Sequence, residues 1–196
     1  MPQQNPSRTV AHAADTFVDL TPADHAAIVS HIQHLDDTDF RLRFGSRARD
    51  ATSTQMLASD LFKVAHVFGL WDAEHQRLLV LGCYGKAAIT PDSVEIGLSA
   101  LTEARGGASQ RVANWLQTRF VAQGFKRIEI VFHVSNQPVA QLASRMGMDV
   151  KCKQGECMAW LDLKPTADAI RDWLDRLDHL LEAVRNAPPA GTTAKL

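Results

Sequence analysis

A strand, a small-residue turn and the start of a helix are predicted by one stretch, VEIGLSALTEARGGASQR, at residues 94–111. The strand ends at Leu101, and the helix runs from about Ala108 to Gln123, where Gly124 stops it. The turn between them directs unpaired backbone N–H groups and the positive end of a helix dipole to one point, where a pyrophosphate can bind. Taken alone, the pattern fits a plain flexible connection at least as well, because loops with two glycines are common.

The periodicity on both sides of this stretch predicts a mixed α/β domain. Residues 21–35 and 53–60 read as helices, with Thr21 as the cap of the first and Pro22 at its first position. Strands are predicted at residues 63–71, 77–84, 93–101, 126–134, 148–153 and 157–163, and a short helix begins at Pro138 and ends at Gly147. This order predicts a mixed, mostly antiparallel sheet with helices on both faces.

The two ends of the chain differ from this block. Residues 1–16 read as a flexible lead-in, residues 17–163 as the domain, residues 164–187 as a C-terminal amphipathic helix, and residues 188–196 as a flexible tail. The tail helix carries an apolar stripe that includes Ile170, Trp173, Leu177 and Leu181. The stripe packs either on its own domain or on a second copy in a homodimer.

Composition excludes several classes of protein. The 196 residues are 45% hydrophobic and 22% charged with a formal net charge of −1, which argues against a disordered chain and against a nucleic-acid binder. The sequence also lacks a membrane-length apolar run, a signal core and a Cys/His cluster with metal spacing, so we expect a cytoplasmic protein without a metal. Cys152 and Cys157 flank a predicted hairpin turn, where two buried small hydrophobic thiols are favoured over a redox pair.

A second stretch changes the interpretation of the turn at residues 105–110. Residues 136–148, NQPVAQLASRMGM, follow a strand and form a short helix that ends in glycine. Here the chain resembles the GNAT superfamily of N-acetyltransferases, whose second signature has an Asn, such a helix, a basic residue, a Gly and a hydrophobic residue. In register with it, residues 105–110 fall on the family's Arg-Gly-x-Gly-x-Gly/Ala pyrophosphate loop, and residues 40–44 resemble an early Arg-Phe segment. The resemblance spans roughly residues 17–163.

The resemblance implies an acyl-CoA-dependent transferase that moves an acetyl group from acetyl-CoA to a primary amine of a small molecule or a protein. The strand at Val94–Leu101 would separate from the strand that begins near Arg127, and acetyl-CoA would lie in the gap. The implied cofactor-binding residues are Leu98, Ser99, Leu101, Arg105, Gly106, Gly107, Ala108, Ser109, Gln110 and Asn136. The implied acceptor-binding residues are Arg41, Arg43, Phe44 and Trp71.

Glu95 and Ser99 are the candidate catalytic residues. Glu95 would accept the amine proton, directly or through a water molecule, unless it is an outward-facing strand residue paired with a Lys or Arg. Ser99 and Asn136 would contact the thioester region unless they make ordinary hydrogen bonds. Arg41 and Arg43 would bind an acidic or carboxylate-bearing acceptor unless they form a solvated basic face.

Three positions depart from the family pattern. Ala108 and Gln110 replace the last two loop glycines, and the Gln110 side chain would either fill the phosphate pocket or donate a hydrogen bond to it. Ala143 occupies the place where many members carry a Tyr that protonates the leaving thiolate, and Tyr84 is the only tyrosine of the chain. A catalytically inactive GNAT-fold module that binds a ligand or a partner protein is therefore the alternative to the enzyme.

Overall fold

The computed structural model describes residues 16–164 except His75, Ile89, Arg105 and Gly106, and at Gly107, Ser109 and Gln110 it describes the backbone alone. The described residues form a seven-stranded sheet in the order β1-β2-β3-β4-β5-β7-β6. Every neighbouring pair is antiparallel except β4 and β5, which are parallel. The strands are β1 (Thr16–Asp19), β2 (His66–Asp72), β3 (Arg77–Lys86), β4 (Ser93–Ala100), β5 (Arg127–His133), β6 (Asp149–Lys153) and β7 (Glu156–Asp162).

Five helices flank this sheet, and local side-chain caps explain where several begin. They are α1 (His25–His34), α2 (Asp37–Phe44), α3 (Ala51–Val64), α4 (Gly107–Ala122) and α5 (Gln137–Met146). Asp36 caps α2 and Asp50 caps α3, each accepting the backbone N–H three residues on, at 2.8 and 3.0 Å. At α5, Asn136 is the cap and Gly147, with a φ of +68°, ends the helix in the left-handed conformation as predicted.

Each face of the sheet has its own apolar core. On one face, α4 and α5 pack on the central strands through residues such as Leu116, Phe120, Ile128 and Leu142. On the other face, residues of α1, α2 and α3 pack on β2 and β3, and the residues buried there include Ile28, Ile32, Phe40, Leu57 and Leu81. The predicted class, a mostly antiparallel sheet with helices on both faces, is confirmed for the described residues.

The sequence patterns did not predict two of the elements, and they predicted the start of a third wrongly. Residues 16–19 form the edge strand β1, which no pattern predicted; it is held by pairing with β2 and by the stacking of Phe17 on Trp115 at 4.8 Å. Residues 40–44 belong to helix α2, because Asp36 supplies a cap. The second strand begins at His66 and not at Lys63, because α3 continues to Val64.

The predicted C-terminal helix and tail, residues 165–196, lie outside the described residues, and so does the lead-in up to residue 15. Between residues 16 and 164, the described helices are too short or too polar to cross a membrane.

Cys152 and Cys157 correct another prediction. They face one another across β6 and β7, as their spacing suggested, but they are joined in a disulfide and are not two buried free thiols. Cys157 is buried whereas Cys152 is exposed. The positive φ angles of Gln154 and Gly155 make the turn that brings the two strands into this register.

We expect thiol titration of the denatured, unreduced protein to detect one cysteine, Cys83, and titration after reduction to detect three. Because the disulfide closes a loop of only a few residues, its reduction should lower the free energy of unfolding by no more than about 2 kcal/mol. Three titratable thiols before reduction would contradict the bond.

Gly82 on β3 permits close packing in the core. The ring of Phe68, which lies opposite it on β2, covers this glycine, and a Cβ at residue 82 would lie 2.2 Å from the Phe68 Cζ atom. Phe68 is fully buried, so its ring has no free space to move into.

The substitution Gly82→Ala should therefore lower the free energy of unfolding by about 1–3 kcal/mol through overpacking, measured by urea denaturation. Gly85→Ala on the same strand is the matched control, because its Cβ would meet only the Val64 carbonyl oxygen at 3.7 Å. Equal losses in the two variants would contradict the packing explanation.

Candidate functional site

A cleft opens where β4 separates from β5. The two strands pair only at Ser93–Glu95 with Arg127–Glu129, although β4 continues to Ala100 and β5 to His133. Beyond Glu95, β4 keeps its antiparallel partner β3 but has no strand partner on the side of β5 among the described residues. The separation expected from the resemblance is thus present, and it leaves one edge of β4 open in the middle of the sheet.

The cleft has a volume of about 370 Å³ and is bounded mainly by β4, α2, α4 and α5. Its inner wall is apolar and includes Leu98, Val112 and Leu142. Its lining residues are Leu98, Ser99 and Ala100 of β4; Ala108 and Val112 of α4; Asn136, Gln137, Pro138, Val139, Gln141 and Leu142 at the start of α5; Asp39, Leu42 and Arg43 of α2; and Val80 and Ala104.

Two helix N-termini meet the cleft. Ala108 is the second residue of α4, and residues 136–139 form the beginning of α5. Each N-terminus has backbone N–H groups without helical partners and the positive end of a helix dipole, and both features favour an anionic group nearby. Asn136 Oδ1 accepts one of these groups, the N–H of Val139, at 3.3 Å, so Asn136 has an ordinary capping role while it also lines the cleft.

Ser99 lies at the cleft with a buried histidine behind it. Its Oγ atom is 3.0 Å from Nε2 of His31 on α1, and Nδ1 of the same ring is 2.9 Å from the carbonyl oxygen of Leu78. Ser99 is 8% exposed and His31 is 2% exposed. Burial lowers the pKa of His31 from 6.5 to about 4, and the hydrogen bond to Leu78 only partly offsets this, so the imidazole is neutral at pH 7.

Arg43 is the predicted acceptor-binding residue that the structure brings to the cleft. Its guanidinium lies on the sheet over Gly97, where a Cβ atom would be only 2.7 Å from Nη2. The same Nη2 donates to the Cys83 sulfur at 2.9 Å, and Cys83 pairs with Gly97 across β3 and β4. The absence of a side chain at residue 97 therefore makes room for the guanidinium beside the open part of β4.

Other predicted site residues do not line the cleft. Glu95 is exposed at the last position where β4 pairs with β5, and Arg41 is exposed on α2. Phe44 lines a separate hollow with Leu57 and Lys63, and Trp71 packs against the core on the side of α1.

Leu101 also falls outside the cleft. Its backbone N–H donates to the Leu79 carbonyl, so this N–H is not free to pair with pantetheine, and its carbonyl accepts from the N–H of Ala104. Arg105 and Gly106 lie outside the described residues, as do the side chains of Ser109 and Gln110.

Sequence reasoning missed His31. It lies 68 residues from Ser99 in the chain, on a helix whose periodicity indicates only a buried face. Tyr84 has a core role: it is buried, and its hydroxyl accepts from Arg119 Nη2 at 3.1 Å and from Gln123 at 3.2 Å. Ala143 is fully buried on α5 and does not line the cleft.

Solved acetyltransferases of the GNAT superfamily share this fold. The GNAT domain of PAT from S. lividans superposes with a TM-score of 0.63 at 15% identity and covers 76% of this chain and 96% of its own. Spermidine N-acetyltransferase from Vibrio cholerae, solved with CoA and spermine, gives a TM-score of 0.62 at 14% identity, with 77% and 96% covered. Ribosomal-protein-S5-alanine acetyltransferase from Vibrio fischeri gives a TM-score of 0.60 at 12% identity, with 76% and 92% covered.

No protein-family model matches the chain, and no curated protein matches it in sequence at a significant level. The chain therefore has the GNAT fold.

The low pKa of His31 has a measurable effect on stability. In the unfolded chain the imidazole takes up a proton near pH 6.5, whereas in the folded protein it does so only near pH 4. Between these values the unfolded state binds more protons, so the free energy of unfolding falls as the pH is lowered.

We expect the wild type to lose about 2 kcal/mol more stability between pH 7 and pH 5 than the variant His31→Gln loses, because the other titrating groups are common to both. Urea denaturation at the two pH values measures this difference. Parallel losses in wild type and variant would contradict the buried, neutral state of His31.

Proposed function

We propose that this protein is an acyl-CoA-dependent N-acyltransferase that transfers an acetyl group from acetyl-CoA to a primary amine. The observation that carries the proposal is the separation of β4 from β5, which forms a cleft between two helix N-termini in a chain with the GNAT fold. Fold alone does not give an activity, because one fold can host several functions. The proposal therefore rests on how the residues of the cleft suit the two substrates.

The cleft suits the two chemically different parts of acetyl-CoA. The apolar wall of Leu98, Val112 and Leu142 offers a surface for the pantetheine arm, and the open edge of β4 offers backbone groups with which amides can pair. The start of α4 at Gly107 offers N–H groups and a helix dipole to the pyrophosphate. The cleft thus combines an apolar channel with an anion-binding end.

The reaction needs few side chains from the protein. A thioester carbonyl held against a backbone N–H of β4 would be polarised toward the charge that develops when the amine attacks. The leaving thiolate has an ordinary pKa of about 8.5, so it departs near neutral pH without a strong general acid. A buried Ala143 in place of a tyrosine is therefore compatible with turnover.

The acceptor is proposed to carry an anionic group in addition to its amine. The Arg43 guanidinium lies on the α2 side of the cleft, where it would attract a carboxylate and repel a polycation. The spermidine and ribosomal-protein acetyltransferases of similar fold act on amines of two kinds, a small molecule and a protein. A carboxylate-bearing small amine and a peptide N-terminus beside an acidic residue are the two acceptor types that Arg43 would suit.

Filling the cleft should abolish binding of the co-substrate. Ala108 is half-buried at the N-terminal end of α4 and lines the cleft, so Ala108→Phe would place a ring in it. We expect calorimetry to show saturable binding of CoA and acetyl-CoA to the wild type and at least a tenfold weaker binding to this variant.

Thr118→Phe is the matched control, because Thr118 is exposed on the same helix and outside the cleft. It should bind CoA as the wild type does. If the wild type bound no CoA, the acyl-CoA proposal would fail. CoA binding without thiol release on any amine would instead favour the inactive ligand-binding module over the enzyme.

A further inference from the structure

We propose that Ser99 and His31 form a proton relay at the cleft, in which Ser99 accepts the proton of the attacking amine and passes its own proton to His31. This inference rests on the proposed function, since it concerns the acceptor half of the same reaction. It stands on three observations: the hydrogen-bonded chain from Ser99 through His31 to Leu78, the place of Ser99 in the lining of the cleft, and the burial of His31 behind it.

The hydrogen bonds determine which ring nitrogen carries the proton. The carbonyl oxygen of Leu78 can only accept, so the Nδ1 atom of His31, at 2.9 Å, must be the donor. In a neutral imidazole the other nitrogen, Nε2, is then an acceptor. The Ser99 hydroxyl, 3.0 Å from Nε2, therefore donates its hydrogen to the ring.

This arrangement makes Ser99 an acceptor toward the cleft. Its hydrogen is engaged by His31, so the lone pairs that remain on Oγ are what it can offer to a substrate. An amine that donates an N–H to Oγ would be held beside β4 while its own lone pair stays free to attack. A serine hydroxyl between a histidine base and a cleft is also the arrangement in which serine hydroxyls lose protons in other enzymes.

The two residues have different roles. Ser99 lines the cleft and would touch the amine, so it is the catalytic residue of the pair. His31 is buried on α1 and acts through Ser99, so it is a positioning residue that also holds the proton in transit. Glu95, the candidate base from the sequence, is exposed and does not line the cleft.

The proton and electron changes balance within the two substrates and the relay. The nitrogen–carbon bond forms and the carbon–sulfur bond breaks. At the same time the amine proton moves to Oγ of Ser99, and the Oγ proton moves to Nε2 of His31. The thiolate leaves and then takes a proton from Ser99, which recovers its own from His31. Burial lowers the pKa of His31 to about 4, whereas that of a thiol is about 8.5, so the proton returns readily and the relay ends each turnover neutral.

The test compares this pair with a similar pair elsewhere on α1. His25 Nε2 lies 3.1 Å from Oγ of Ser59 on the helix surface, outside the cleft, so His25→Gln and Ser59→Ala are matched controls. The probes are acetyl-CoA with glutamate, a small amine that carries carboxylates, and with the N-terminal amine of an alanyl-glutamyl peptide, and release of free thiol is measured.

Ser99→Ala and His31→Gln should lower kcat by 100-fold or more, the range typical of general acid–base catalysis, with the Kd for CoA unchanged. Ser99→Thr, which keeps the hydroxyl, should retain most of the activity, and the two control variants should match the wild type. A loss of CoA affinity together with kcat in Ser99→Ala would indicate a packing role and overturn the relay.

A measurement on the wild type avoids the case in which a buried variant fails to fold. Because two protons move together in the relay, kcat in mixtures of H₂O and D₂O should depend nonlinearly on the deuterium fraction of the solvent. A linear dependence would overturn the relay even if the variants were unfolded.

The outcomes also separate the relay from the transferase. Normal turnover in a folded Ser99→Ala would overturn the relay and leave the transferase standing. No CoA binding, or no thiol release with either probe by the wild type, would contradict the transferase and the relay with it.

Discussion

The parallel strands β4 and β5 share hydrogen bonds over only three residue pairs, and the rest of the molecule is arranged around their separation. Continued pairing of β4 with β5 would have left no open edge on β4 and no cleft between the two strands. The chain leaves β4 through a short turn into α4 and leaves β5 into α5, and these two helices pack against each other on one face. Both helices therefore begin beside the gap, and an apolar cleft with two positive helix ends follows from that packing.

Two polar side chains of the cleft, those of Arg43 and Ser99, lie on the face of the sheet that α1 and α2 cover. Gly97 leaves room for the guanidinium of Arg43, which reaches over the sheet from α2. Two residues further along β4, Ser99 contacts His31 of α1. Because alternate residues of a strand face the same side, Gly97 and Ser99 lie on one face of β4. The cation of Arg43 contacts the first position and the neutral imidazole of His31 contacts the second. This places an anion-binding group and a hydrogen-bond acceptor side by side next to the open strand edge.

Several residues predicted for the site line the cleft because of their place along the backbone, whereas side-chain direction decided which of the two predicted arginines does so. Leu98, Ser99, Ala108 and Asn136 line the cleft because they belong to the strand edge and to the two helix starts. Arg41 and Arg43 are two residues apart on α2, so they point in different directions, and only Arg43 lines the cleft. The pattern of residues 40–44 does not indicate a helix, so it does not predict which of the two arginines faces the cleft.

By itself, the sequence determined the order of most strands and helices, the start and end of α5, and the positions of β4 and α4. These features depend on local preferences: the alternation of strand residues, and the residues Asn136 and Gly147 at the two ends of α5. The tertiary structure alone decided the edge strand β1, the disulfide between Cys152 and Cys157, and the contact of His31 with Ser99. Each of these joins groups whose pairing depends on how whole elements pack, and a hydrogen bond across 68 residues leaves no periodic trace in the chain.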